Sequence, residues 1–207
     1  MNSPKRKPRK KAWRDPLDWY CEGPEPVESL FDFLDIVGDV YDPCCGRGNI
    51  PDVAIARGHK TQSSDLIDRG YGRAIPGVDF LTTFSGMARG FDNIVFNPPY
   101  SYQKRICENF IRLALAITHR RVCALVPVTF LGSLERHDWF AHEQPPTQIL
   151  YLSKRPSMPP GAKIAELGNQ AFKNGKVNYC WLTYDLIDPT PLPPAWLPAR
   201  APAQVAA

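Results

Sequence analysis

The chain predicts an α/β fold: a mostly parallel sheet covered by helices on both faces. Three observations carry this expectation. Short apolar runs bounded by Gly, Pro or Asp alternate with segments of helical period. The clearest of the latter is residues 103–118, where Ile106, Phe110, Leu113 and Ile117 recur at four, three and four residues. A length of 207 residues with 43% hydrophobic content is enough for one domain with a real core.

Taken in order, residues 1–14 predict a disordered arm, proline-broken, highly charged and almost without apolar side chains. A helix follows over 25–36, with Val27, Leu30, Phe31 and Leu34 at helical spacing. Val40-Tyr41 predicts a short strand. Pro51 suits the first turn of the next helix and Gly58 its end. Strands are expected at 60–64, near 78–81 and at 94–96, then the helix over 103–118. Another strand at 122–126 precedes a helix over 134–141, and strands at 148–152 and 177–184 complete the sheet. Residues 155–176 are rich in Pro, Gly and Lys, and so long a connection inside a domain is usually functional or disordered. The domain thus spans 15–187, and residues 188–207 predict an unstructured Pro/Ala-rich tail.

Charge is unevenly placed. Seven of the 25 Lys and Arg lie in the first 14 residues, which contain no acid. Without them, 18 basic residues face 21 acidic ones, leaving the body at about −3. The six cysteines form no CxxC and no Cys/His cluster, which predicts thiols in a reducing compartment and no metal site. His59, His119, His137 and His142 show no ligand spacing either. No apolar stretch reaches the 18 residues of a membrane span, and the basic N-terminus lacks an apolar h-region. A soluble, cytoplasmic protein is the expectation.

Four short motifs carry chemistry. In YDPCCGRGN an acid ends a strand, and Gly46 and Gly48 let the chain turn tightly before a helix begins. Doubly wound folds bind nucleotides at such a place, although a plain turn would use the same glycines. The full GxGxxG is missing, as is a Walker Lys-Ser/Thr, which disfavours NAD and ATP. Asp65 ends the next strand, where a carboxylate can accept two hydrogen bonds from ribose hydroxyls. Asp79 and Phe80 follow the third strand, where an acid and a ring could hold an adenine edge and face. The fourth motif is Asn97-Pro98-Pro99-Tyr100, which stops the apolar run Ile94-Val95-Phe96. Asp65 or Asp79 taken alone would more often be a solvated strand-end acid or a helix cap. Four in order, each at the C-terminal end of a strand, read as a site.

These residues resemble motifs I to IV of class I S-adenosylmethionine-dependent methyltransferases. NPPY in this order is similar to DNA adenine-N6 methyltransferases of the gamma arrangement, and small phage or prophage enzymes among them are the nearest likeness. The resemblance runs from about Tyr20 to Tyr184, with Tyr179 and Trp181 in its final aromatic strand. It implies a Rossmann-like, seven-stranded sheet with an antiparallel last hairpin. It also implies that Asp42, Pro43, Cys44, Cys45, Gly46 and Gly48 hold the methionine part of the cofactor, Asp65 the ribose, and Asp79 with Phe80 the adenine. DNA would be the partner.

The implied chemistry accounts for NPPY. The exocyclic amine of adenine is a poor nucleophile because its lone pair is delocalised into the ring. The Asn97 side-chain oxygen and the Pro98 carbonyl accept its hydrogens and aim the lone pair, while Pro98 and Pro99 stiffen the loop. Tyr100 offers a face for a base taken out of the stack. Lys5, Arg6, Lys7, Arg9, Lys10 and Lys11 of the arm, with Arg155 and Lys163 of the long loop, are candidate phosphate contacts. The same loop resembles those of RNA adenine or guanine amino-methyltransferases and of protein-glutamine methyltransferases. The latter usually have an added N-terminal helical domain, and few residues precede Val40 here. A nucleic-acid-binding protein that has lost catalysis is a further alternative, against which Asn97 and Tyr100 argue.

Overall fold

The structure is a computed structural model that describes residues 15–173 and 175–199. The arm cations Lys5, Arg6, Lys7, Arg9, Lys10 and Lys11 therefore lie outside the described residues. Among those described, the chain forms β1 (Val40–Asp42), β2 (Thr61–Asp65), β3 (Ile75–Pro76), β4 (Phe91–Phe96), β5 (Thr118–Pro127), β6 (Gln148–Leu152), β7 (Tyr179–Asp185) and β8 (Ala195–Leu197). The helices are α1 (Pro24–Phe33), α2 (Asn49–Ala56), α3 (Phe80–Thr83), α4 (Ile106–Ile117) and α5 (Ile164–Leu167).

The strands make one sheet in the order β3-β2-β1-β4-β5-β7-β6-β8. β7 runs antiparallel between β5 and β6, and the other pairings are parallel. The expected antiparallel hairpin is thus present, on a sheet of eight strands where seven were predicted. The eighth comes from the stretch expected to be unstructured. Ala195, Trp196 and Leu197 pair with Leu150, Tyr151 and Leu152, and Leu197 is buried. Three apolar residues between prolines were enough to cover the edge of β6, which composition alone does not reveal.

Side-chain alternation divides the core. Ile94 and Phe96 of β4, with Val122, Ala124 and Val126 of β5, pack on α4 and the segment around Trp139. Val95, Cys123 and Leu125 point the other way, toward α1 and α2. This period of two is what a sheet buried on both sides requires. The Trp181 indole donates to the carbonyl of Pro26 (3.0 Å), tying β7 to the start of α1. Two expected elements differ. The strand near 78–81 lies earlier, at 75–76, because Asp79 caps α3 by accepting from the Leu81 amide (3.1 Å). The helix over 134–141 is broken into a 3-10 turn, Leu134–Arg136, and a π turn, Trp139–Glu143. All six cysteines are free thiols. No described helix is long and apolar enough to cross a membrane.

Candidate active site

In the sheet order, β1 and β4 are adjacent and the chain winds outward from both. The crevice beyond the strand ends at such a reversal is where doubly wound folds bind ligands. A cleft with about 710 Å³ of free space lies there, lined by Pro43 to Arg47, Asp65, Asp79, Phe80, Asn97 and Pro99.

The loop after β1 is built by its own backbone. Asp42, 2% exposed, accepts from the Cys44 amide (3.1 Å). Burial above all, then Glu22 and Asp65 nearby, push its carboxyl well above the usual range. Asp42 therefore shapes the loop from behind and does not line the cleft. Gly46 sits at φ +53, with the Trp19 ring and the Cys21 thiol close above it. Gly48 has φ +87, and a Cβ there would fall inside the Tyr71 ring. It is needed for that packing and for the entry into α2, rather than for a ligand.

Asp65 is held rather than free. Its Oδ2 accepts from the Gly46 amide (2.9 Å) and its Oδ1 from the Ile67 amide (3.0 Å), with Arg69 Nε at 3.8 Å. Each oxygen keeps a further lone pair toward the cleft, so ribose hydroxyls can still be accepted. Asp79 is exposed at the rim. Phe80 is 1% exposed and packs on Phe84 and Phe110. It forms part of the cleft wall and is not the open stacking platform expected from sequence.

Asn97 stands at the end of β4 with its amide fully committed. Its Nδ2 donates to Glu22 Oε2 (2.7 Å) and to the carbonyl of Tyr20 (3.1 Å). Its Oδ1 accepts from the Tyr100 hydroxyl, which also reaches the carbonyl of Leu125 (3.2 Å). The Cys44 thiol donates to the Asn97 carbonyl (3.3 Å), joining the loops after β1 and β4. Pro98 is buried and Pro99 half-buried. Tyr100 is half-buried too, with its ring 6.2 Å from that of Tyr179.

A second, wider groove with about 1370 Å³ of free space opens beyond Tyr100. Tyr20, Tyr100 and Tyr179 line it, together with Pro156 to Pro160, Lys173 and Lys176. Asp18 and Tyr20 belong to both clefts, so the two meet along this segment. The expected phosphate contacts on the long loop do not line the groove. Arg155 donates to Asn178 Oδ1 (2.8 Å), and Lys163 is exposed at the start of α5.

Residues 15–22 are what sequence reasoning missed. Asp18 accepts from the Ser101 amide (2.6 Å), and the Cys21 amide donates to the carbonyl of Pro159 (3.0 Å). The Arg69 guanidinium lies 4.1 Å over the Trp19 ring, and a Cβ on Gly161 would fall inside that ring. The segment is thereby wedged between the first cleft and the 155–176 loop. Its only sequence signal is a dense Trp-Tyr-Cys-Glu run just ahead of a proline-started helix. On the surface, His137, Asp138 and His142 bring one ligand-type atom each within 4.8 Å of one another. The π turn creates this group from a five-residue spacing that carries no metal signature.

No family model matches the chain, and no curated protein matches it. Its structural neighbours do share the fold. The type I restriction enzyme EcoKI M protein superposes with a TM-score of 0.55 at 13% identity, over 84% of this chain and 46% of that one. The candidate RNA methyltransferase PH1948 from Pyrococcus horikoshii gives 0.52 at 16% identity, over 76% and 80%. A SAM-dependent methyltransferase from Archaeoglobus fulgidus gives 0.51 at 11% identity, over 79% and 94%. The likeness is one of fold: a Rossmann-like, mostly parallel sheet with an antiparallel hairpin, shared with structures described as methyltransferases.

Proposed function

We propose that this protein methylates the exocyclic amine of adenine in DNA, with S-adenosylmethionine as cofactor. The observation that carries the reading is Asn97: its two N–H groups are committed elsewhere, it lines the first cleft, and its oxygen is bonded to Tyr100, which lines the second. The first cleft gathers the strand-end acids Asp65 and Asp79 with the glycine turn, and the second is lined by three tyrosines and two lysines. The EcoKI M protein, among the neighbours, is a DNA adenine methyltransferase, which favours this substrate class for the present chain.

The residues of the first cleft fit the cofactor. Backbone from Pro43 to Gly46 faces it, Asp65 retains acceptor capacity for ribose hydroxyls, and Asp79 stands at the rim for the adenine edge. Buried carboxylates at Glu22, Asp42 and Asp65 make the surroundings negative, which suits a cationic ligand. When bound, S-adenosylmethionine supplies an electrophilic methyl group on a sulfonium. The protein's part is positioning. Asn97 Oδ1 has two lone pairs, of which Tyr100 uses one. The other can accept a proton of the amine while the Pro98 carbonyl takes the second, and the nitrogen lone pair is thereby aimed. No strong base is needed, because the pyramidal amine loses its extra proton readily once alkylated. Tyr100 and Tyr20, both half-buried, provide faces for the base, with the buried Tyr179 packed beside Tyr100, and Lys173 and Lys176 flank the groove where phosphates would pass.

The test is incubation with labelled S-adenosylmethionine and duplex DNA, RNA or protein, followed by identification of the modified unit. N6-methyladenine in DNA is expected. Label on RNA or protein alone would overturn the DNA reading.

A further inference from the structure

We propose that Glu22 is the positioning residue that fixes which way the Asn97 amide faces. The inference rests on the reading of Asn97 Oδ1 as the acceptor for the target amine. A carboxylate only accepts hydrogen bonds, so the amide group facing Glu22 Oε2 at 2.7 Å must be the NH2. The Tyr20 carbonyl, also acceptor-only, takes the other N–H at 3.1 Å. A flipped amide would set Oδ1 against two acceptor oxygens and present NH2 to the incoming amine, where it could hold no proton. Glu22 thus excludes the unproductive orientation by repulsion as well as favouring the productive one.

Three features set this carboxylate apart from an ordinary structural one. It is 6% exposed, and burial raises its pKa, while accepting from its own backbone amide and from Asn97 lowers it again. It also adds, after burial, to what pushes the neighbouring Asp42 carboxyl upward. Burying an acid beside another acid works against stability, so its presence calls for a role that an apolar residue could not fill. Its backbone is also anchored: the Glu22 carbonyl accepts from Asn49 Nδ2 (2.5 Å), at the first turn of α2. A rigid support on one side and Asn97 on the other is the arrangement that holds an amide to within a few tenths of an ångström.

Glu22→Ala and Glu22→Gln decide the matter. Glutamine can present its own oxygen to the Asn97 N–H, whereas alanine cannot. In single-turnover methylation of adenine-containing DNA, Glu22→Ala should be slower by about 10- to 100-fold, the cost of a misplaced reacting group. Both variants remove the same negative charge beside the cofactor cleft, so any change in S-adenosylmethionine affinity should be shared by them, whereas Glu22→Gln alone should regain most of the rate. Glu22→Gln should melt no lower than the wild type, because a charge facing Asp42 is gone. A Glu22→Gln variant as slow as Glu22→Ala, or one that melts well below wild type, would overturn the proposal. A second readout does not depend on the substrate. The Asn97 side-chain NH2, assigned in 15N-labelled protein by its loss in Asn97→Ala, should exchange slowly in wild type and Glu22→Gln and fast in Glu22→Ala. If wild-type protein methylates no DNA adenine, the proposed function falls, and this exchange measurement still tests the orientation. Unchanged NH2 protection in Glu22→Ala would sink it.

Discussion

The two clefts on either side of Asn97 are made in different ways. The first is local: an acid, a glycine turn and the next strand's acid, each within one β-to-helix connection, cross-braced by backbone amides on Asp42 and Asp65. The second is assembled from afar. Tyr20, Tyr100, the prolines from 156 onward and Tyr179 meet only after the sheet is complete. The difference teaches that one cleft can be written largely in short motifs, whereas another emerges from topology.

The largest effect expected from this contrast falls where the clefts meet. Asn97→Ala should cut turnover by about 100-fold or more, as loss of an aligned polar group does, with cofactor affinity little changed in calorimetry. Equal losses in both would mean that the two clefts cannot be separated. Next comes the local side. Asp65→Ala should weaken S-adenosylmethionine binding by about 1.5–3 kcal/mol, the value of charge-assisted hydrogen bonds, and the loss of its bonds to Gly46 and Ile67 should loosen the loop as well. Unaltered affinity with the fold intact would remove Asp65 from the site.

On the assembled side, Tyr20→Ala should lose about 1–3 kcal/mol of base stacking, read as weaker DNA binding. Tyr100→Phe sharpens the comparison, because the hydroxyl holds Asn97 Oδ1 while the ring faces the groove. Its turnover should fall while DNA affinity is retained. The smallest effect belongs to the rim. Lys173→Ala with Lys176→Ala should flatten the slope of log K against log salt by at most about 2, with the methylated base unchanged. Deletion of residues 2–14 gives the yardstick, since seven cations there could contribute up to about 6.

The same contrast explains what was legible in the sequence. The sheet, α1, α2, α4 and the four motifs follow from periodicity and turn chemistry acting over fewer than a dozen residues. The places of Asp65 and Asn97 at the ends of β2 and β4 needed nothing more. Glu22 lies 75 residues from Asn97, and no local rule links an acid before a helix to an amide after a strand. Gly48 shows the opposite failure: its positive φ is readable, but the Tyr71 ring that demands it is not. Phe80 was placed correctly along the chain and wrongly in depth, because burial is set by α4 and Phe84.

pH offers an independent handle on the local side. Asp42 and Glu22 both have raised values when folded, so each binds its proton more tightly in the native state. Stability from this source is greatest in acid and is lost as pH rises from the ordinary carboxylate range, about 4, through the folded values. Ligand-free Asp42→Asn should therefore out-melt wild type at neutral pH, with the gap closing toward about pH 4. A gap that widens in acid would show that Asp42 is stabilised as an anion.

The edges of the sheet carry a consequence for how copies of this chain behave together. An open strand edge is a template on which another chain can polymerise. At one end β3 is two residues long and includes Pro76, which has no N–H to offer. At the other, β8 is three residues long, and Pro193, Pro194 and Pro198 bracket it while the Trp196 ring stacks on Tyr151 at 5.4 Å. Had the sheet stopped at β6, the edge of a strand with four apolar residues in a row, Ile149 to Leu152, would be open. The proline content that makes this stretch look structureless is what lets it close the sheet without becoming a new place to extend it.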